Sequence, residues 1–455
     1  MKRIISIMMA AVLLLSLTAC KAEKEPEPVT EKAIDVGKAP ETEESLETVV
    51  IVDDSAFQNA PEESGVLPEP VKAFITNYYE CGQRTDNTLV YESSIPWVNF
   101  GEAGIASGLN DMTHADFERL IKRTAEWRDE EVKYADEIDL EGAYSDSMTN
   151  AKILRSDSSV LSFRTLNVGY NKGGAHGYEI YLSFNYDLEG KKLLSLKDVF
   201  IDTDKLMEMI TERLVSEYPE TVWFDEENIL KYFDPATSQF ETDKSHVDFA
   251  LSNSGVNFYF NAGDIAPYAD GAKVIEFSYD ELKGIISPKY ATAPLDYIEY
   301  LEPGANHYFG HNNLIKAFAR YNEYGMADGI VVFMGGHDTV IETFANNIEL
   351  YLVSIDERYY IYAIENGEDD EVSLHVIDLN TPIPSSVDKI DARLYTARDI
   401  GNVENPPAEL NCYGARNTVS PLTNPHSFEL EPGKYGGDSV TYRTGENGMP
   451  EKCTN

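Results

Sequence analysis

The sequence predicts an α+β protein: a largely antiparallel sheet with segregated helices, followed by a β-rich C-terminal domain. Three observations carry this. In "HGYEIYLSFNYDL", Tyr178, Ile180, Leu182, Phe184 and Tyr186 alternate with Glu179, Tyr181, Ser183 and Asn185, the period of a strand with one apolar face. Two stretches, "DMTHADFERLIKRTAEWRDEEVKYADEI" and "TDKLMEMITERLVSEY", space their apolar residues for one face of a helix. Beyond Pro294 the chain reads as strand after strand, with turn residues between.

The elements follow in order. Phe117, Leu120, Ile121 and Thr124 share the face of the first helix, and Thr113 with Asp116 marks its start with a capping carboxylate. "SSVLSFRTLNVGY" and "HGYEIYLSFNYDL" are strands, "LEGKKLL" a turn and "SLKDVF" a short apolar closure. Asp202 caps the second helix, Leu206, Met209, Ile210, Arg213 and Leu214 form its stripe, and Pro219 ends it. "HVDFALSN", "GVNFYFN" and "KVIEFSY" are three more strands, the first two joined by the hairpin signal Asn253-Ser254-Gly255. "DELKGII" closes this domain, residues 71–294, as a short helix. In residues 295–455, "LIKAFARYNEY" can form one helix, "YLVSIDERYYIYAIE" a hairpin turning at Asp356-Glu357, and "EVSLHVIDL" its neighbour. Such units are too few to close a propeller, so they are expected to pack as a sheet on the preceding domain. "TNPHSFELEP" and "SVTYRTGENGMPE" supply a last short helix and strand.

The N-terminus sets the compartment. Met1-Lys2-Arg3 precedes an apolar run from Ile4 to Leu17 and then Thr18-Ala19-Cys20. The run falls short of the ~20 apolar residues that span a bilayer, so residues 1–19 read as an export signal. Residues 21–70 carry fourteen Asp/Glu, four Lys and six Pro. They bury too little apolar surface to offset the entropy of ordering and are expected to be an extended acidic tether from residue 20 to 70. The formal charge of the chain is −42. That argues against nucleic acid and against electrostatic attraction to an anionic membrane or wall polymer, and it favours cationic partners, although a solvated acidic exterior is the readier account of it. About 385 residues beyond the tether are more than one core usually holds. Besides Cys20 there are Cys81, Cys412 and Cys453. No Cys-x-x-Cys spacing suggests a metal or redox pair, and Cys412–Cys453 is a possible disulfide.

Two resemblances attach to these residues. Leu17-Thr18-Ala19-Cys20 resembles the bacterial lipobox, which implies cleavage before Cys20, lipidation of its thiol and a membrane anchor on the extracytoplasmic face. "DSSVLSF", "GGAHGYEIYLSFNYDLEGKKLLSLKDVF" and "GVNFYFNAGDIAPYADGAKVIEFSYDEL", spanning about Trp127 to Ala291, resemble an extracytoplasmic domain family of unknown general function. RsiV-type lysozyme-sensing anti-sigma factors share that domain, as does the non-catalytic part of PdaC-type peptidoglycan deacetylases. The sequence lacks the membrane span and cytoplasmic segment of the former, and the Thr-Phe-Asp-Asp-Gly-type motif of the latter. The resemblance therefore implies a binding domain, without sigma control or deacetylation.

The candidate residues are few. Gly173 and Gly174 let the chain turn sharply before His176, and a lone histidine there reads first as a hairpin residue bonding backbone. Surface recognition is its functional alternative. Because the resemblance implies that this sheet contacts the partner, His176, Tyr178, Tyr181, Tyr186, Pro267 and Tyr268 are the candidate recognition residues. His307 and His311 have zincin spacing without its glutamate, and His337 follows Gly335-Gly336 as a turn residue would. No Gly-x-Ser-x-Gly elbow or phosphate loop occurs, and neither a catalytic residue nor a metal or cofactor is expected. The expected function is recognition at the cell envelope. Its expected partner is a cationic wall-active protein such as lysozyme, or peptidoglycan. The alternatives are an accessory module or an unrecognised hydrolase in wall remodelling.

Overall fold

The computed structural model describes residues 67–84, 86–138, 144–171, 176–223, 247–310, 312–367, 371–400, 415–433 and 437–453. Cys20, the expected signal and almost all of the expected tether lie outside them, as do Gly173, Gly174, His311 and Cys412. The fold is predominantly β, with few helices and a β-rich C-terminal region.

The first sheet begins with β1 (Phe74–Gln83) and β2 (Leu89–Asn99), and continues through β3 (Ser145–Ser156), β4 (Val160–Asn171), β5 (Tyr178–Asp187) and β6 (Lys192–Leu193). The β2–β3 pair is parallel and the other described pairs are antiparallel. A parallel pair needs a long crossover, supplied here by helices α1 (Gly101–Ser107) and α2 (Asn110–Ile138). Phe117 and Ile121 of α2 pack on Tyr78 and Ile95 of the sheet. The helix begins at Asn110, ahead of the expected start, and Thr113 donates its hydroxyl back to the Asn110 carbonyl at 3.3 Å. Asp116 is occupied elsewhere, with Tyr186 and Arg119.

"SLKDVF" forms a single turn, α3 (Leu196–Val199), closed by a capping box between Ser195 and Asp198. In α4 (Thr203–Glu217) the expected cap is present, the Asp202 carboxylate accepting from the Lys205 N–H at 3.0 Å. Leu206, Ile210 and Leu214 are fully buried on the sheet of β7 (Asp248–Leu251), β8 (Gly255–Phe260) and β9 (Lys273–Ser278), against Phe249, Phe258 and Phe277. Gly255 is required at the β7–β8 turn, since a Cβ there would lie 2.1 Å from the Phe277 carbonyl oxygen. "DELKGII" is a run of turns, not a helix; Gly284 at φ +80° breaks the helical course.

The C-terminal region stacks two sheets. One is β11 (Asn306–Phe309), β12 (Asn313–Tyr321), β13 (Ala327–Met334) and β14 (His337–Ala345). The other runs β10 (Tyr297–Tyr300), β15 (Asn347–Ile355), β16 (Arg358–Asn366), β17 (Val372–Asp378) and β18 (Ser385–Ile390). Ile315, Ile330 and Val332 of the first meet Leu350, Leu352 and Ile361 of the second. "LIKAFARYNEY", expected as a helix, is β12: Ile315 and Ala317 point inward at period two, and β11 and β13 take up its backbone groups on both sides. The hairpin at Asp356-Glu357 is as expected, both residues having positive φ (48° and 59°), which suits the twist of a two-residue turn.

On the other face of that sheet lie β19 (Ala392–Leu394) and, where a helix and strand were expected, the strands β22 (Phe428–Pro432), β23 (Val440–Thr444) and β24 (Pro450–Lys452). Two further strands, β20 (Thr396–Ile400) and β21 (Ala415–Val419), return to the first sheet, where Ile75 pairs with Val419. Cys81 and Cys453 are free thiols. Among the described residues no helix is long and apolar enough to cross a membrane.

Candidate functional site

The loop entering β5 and the loop after β8 meet at the surface. Pro267, at φ −53°, leads into a 3-10 turn over Tyr268–Asp270 that ends where Gly271 takes φ +70°. This turn presents Tyr268 to the His176 ring, the two stacked with centroids 4.3 Å apart. The Tyr268 hydroxyl donates to the Gly177 carbonyl at 2.7 Å, and His176 Nδ1 lies 2.9 Å from the same oxygen. Both rings remain exposed, Tyr268 by 42%. A fixed pair of exposed rings offers contact area at little entropic cost.

The other candidates do not join it. Tyr178 is half-buried, donates to the Asp146 carbonyl at 3.3 Å and crosses Gly169, where any Cβ would strike its hydroxyl. Tyr181 lies on the opposite face, stacked on Tyr259 with centroids 5.1 Å apart. Tyr186 is core: it is buried, donates to Asp116 and offers no surface to a partner.

His307 is a strand residue of β11, and it sits in a buried polar chain between the β7–β9 sheet and the C-terminal sheets. Nδ1 is 2.7 Å from Glu276 Oε2 and Nε2 is 3.1 Å from the Glu302 carbonyl. Both ring nitrogens therefore face acceptors, the pattern of an imidazolium. Burial alone would lower the His307 pKa, but the Glu276 carboxylate outweighs it and raises the value to about 9. Ser254 Oγ bridges Glu276 (3.0 Å) and Glu299 (2.7 Å). Burial, then the charge of Glu276, raises the Glu299 carboxyl, which favours its neutral form. The Ser254 hydroxyl donates toward both carboxylates, and His307 N–H donates to Glu276 from the other side. Beside them Arg164 grips Glu302 through two nitrogens, at 2.6 and 3.0 Å. Glu276, Glu299 and His307 are buried and Ser254 is half-buried, so the chain fastens layers together.

His337 is exposed at the β13–β14 turn, on the rim of an open cleft of about 920 Å3 shared with Phe309, Leu314, Phe333 and Asn380. Among the described residues no group of three or more His, Cys, Asp or Glu is placed to hold a metal ion. Three residues that no motif flagged, Glu365, His375 and Ser386, are brought together by the pairing of β16, β17 and β18. Only the strand register reveals them.

Comparison with the curated proteins finds no match. Two crystal structures are similar to parts of the chain. One, a member of the DUF3298 family from Bacteroides fragilis NCTC 9343, is 18% identical, covering 49% of this chain and 96% of its own, with TM-score 0.34. The other, a DUF3298 family protein from Pseudomonas aeruginosa PAO1, is 18% identical, covering 50% of this chain and 98% of its own, with TM-score 0.33. Residues 197–280, from α3 through β9, match the family model described as "Protein of unknown function (DUF3298)".

Proposed function

We propose that this is a lipoprotein of the bacterial cell envelope, anchored through Cys20, that recognises a cationic wall-active protein of the lysozyme kind. The observation that carries the reading is the His176–Tyr268 stack, an exposed, locked aromatic pair built from two of the segments that mark the sequence resemblance. The net charge of −42 favours a basic partner. Cys20→Ala should release the protein from membranes or block its processing; recovery of a processed, membrane-bound protein refutes the anchor. Recognition is tested by surface-immobilised binding of lysozyme. Replacing His176 and Tyr268 together by Ala should raise the dissociation rate about tenfold or more, the size of a lost hot spot. An unchanged dissociation rate with an unchanged fold rejects this surface.

A further inference from the structure

On β16, β17 and β18 three side chains line up across neighbouring strands. Ser386 Oγ is 2.7 Å from His375 Nε2, and His375 Nδ1 is 3.0 Å from Glu365 Oε1. His375 lies opposite Lys389 in the ladder, while Ser386 lies opposite Ile377. A register shift between Val376 and Ile377 leaves Val387 without a cross-strand partner and brings Ser386 onto the imidazole. His375 and Glu365 are buried, whereas Ser386 is exposed on the edge strand.

Glu365 is held from all sides. Thr343 donates to Oε1 at 2.7 Å, and Ser373 and Lys389 donate to Oε2 at 2.9 and 2.8 Å. Burial works to raise its pKa, but hydrogen bonds from His375 and then Lys389 outweigh it and bring the value to about 2, so it is a carboxylate at neutral pH. A carboxylate at Nδ1 fixes the tautomer: Nδ1–H donates to Glu365, and the lone pair of Nε2 faces Ser386. The Ser386 hydroxyl therefore donates to Nε2.

We propose that Ser386 is a nucleophile, His375 its general base and Glu365 the residue that positions the base, together cleaving a carboxylic ester. The geometry meets what such catalysis needs: nucleophile on base, base on orienter, with only the nucleophile in contact with solvent. Ser386 Oγ attacks the acyl carbon and its proton passes to His375 Nε2. The bond from that carbon to the alkoxy oxygen breaks, and the departing oxygen takes the proton from Nε2. Water then attacks the acyl-serine, gives its proton to Nε2, and the carboxylic acid leaves as that proton returns to Ser386. Ester and water become acid and alcohol, with no other reactant. Among the described residues the outer edge of β18 pairs with no strand, so the N–H groups on that side are open to the oxyanion. Exposed Ile383 and Val387 flank the serine. The site is thus open and shallow, suited to a small acyl group carried on a larger molecule.

The test uses the full chain, a fluorophosphonate probe and p-nitrophenyl acetate. One adduct per chain should form, mapped to Ser386, and Ser386→Ala should abolish both adduct and ester hydrolysis. His375→Gln should slow labelling and hydrolysis about 10²–10⁴-fold, the usual contribution of a general base. Glu365→Gln should lower kcat with KM unchanged, a split that loss of packing alone would not produce. Ser386 is exposed, so its Ala variant tests the proposal even where the buried variants fail to fold. No adduct on the wild-type chain, or equal labelling of Ser386→Ala, overturns it.

Discussion

The buried chain Glu299–Ser254–Glu276–His307 makes stability depend on single protons. His307 has a folded pKa of about 9, above its ordinary 6.5. A raised pKa contributes stability that is fully present below the unfolded value and is lost as pH rises through the folded one. For His307 that window runs from about pH 6.5 to 9. Glu299 is also raised, and the sign is the same: its neutral form is favoured in the fold, so deprotonation at higher pH destabilises. The thermal midpoint should therefore fall from pH 6.5 to 9. Glu299→Gln imitates the neutral acid and should flatten that fall. Equal slopes for wild type and variant in scanning calorimetry would show that Glu299 is already ionised at pH 6.5. The sequence could not announce this cluster, because in a chain with 79 acids nothing local distinguishes Glu276 or Glu299. His307 stood out only by its spacing to His311, which pointed to a metal and away from its true partner.

Elements were readable wherever one face decides the period. The stripe of α4 was one such case: Leu206, Ile210 and Leu214 are fully buried, and Arg213, within the same stripe, lies over Phe277 at 4.5 Å and reaches Glu281 and Tyr308. Ile210→Ala should destabilise by about 2–5 kcal/mol, the usual range for emptying a packed aliphatic site, measured by denaturant unfolding. A loss below about 1 kcal/mol would mean that the cavity between α4 and β7–β9 collapses freely. Period failed at β12. Leu314, Ile315 and Phe318 fit a helical face as well as a strand, and only the ladders to β11 and β13 decide between them. The end of the chain failed for the same reason, since β22 to β24 are short strands stabilised by packing on Tyr360 and Tyr362 more than by their own alternation.

At the scale of the molecule, what escaped the sequence is what lies far apart along it. Ile75 pairs with Val419, and Asn77 donates to the Asn417 side chain at 2.8 Å, contacts spanning most of the chain. The Ser386 cluster is similar on a smaller scale, assembled by register across three strands. Charge, by contrast, is a property of the whole chain that composition reports directly. Residues 21–64 hold thirteen of the carboxylates and four lysines, a net −9. If the recognition reading holds, this segment acts by steering at long range, while the stacked rings of His176 and Tyr268 act by contact. Exposed charges are screened beyond ~8 Å at physiological ionic strength, so steering raises association rates and leaves residence times almost unchanged. The described fold from Gly65 onward is a compact unit with its own cores, which permits a truncation at that residue. A chain beginning at Gly65 should bind lysozyme more slowly at low salt, dissociate at the rate of the full chain, and match its association rate once salt is raised. A changed dissociation rate would place contact residues in the acidic segment, and an unchanged association rate at low salt would leave its charge to solubility alone.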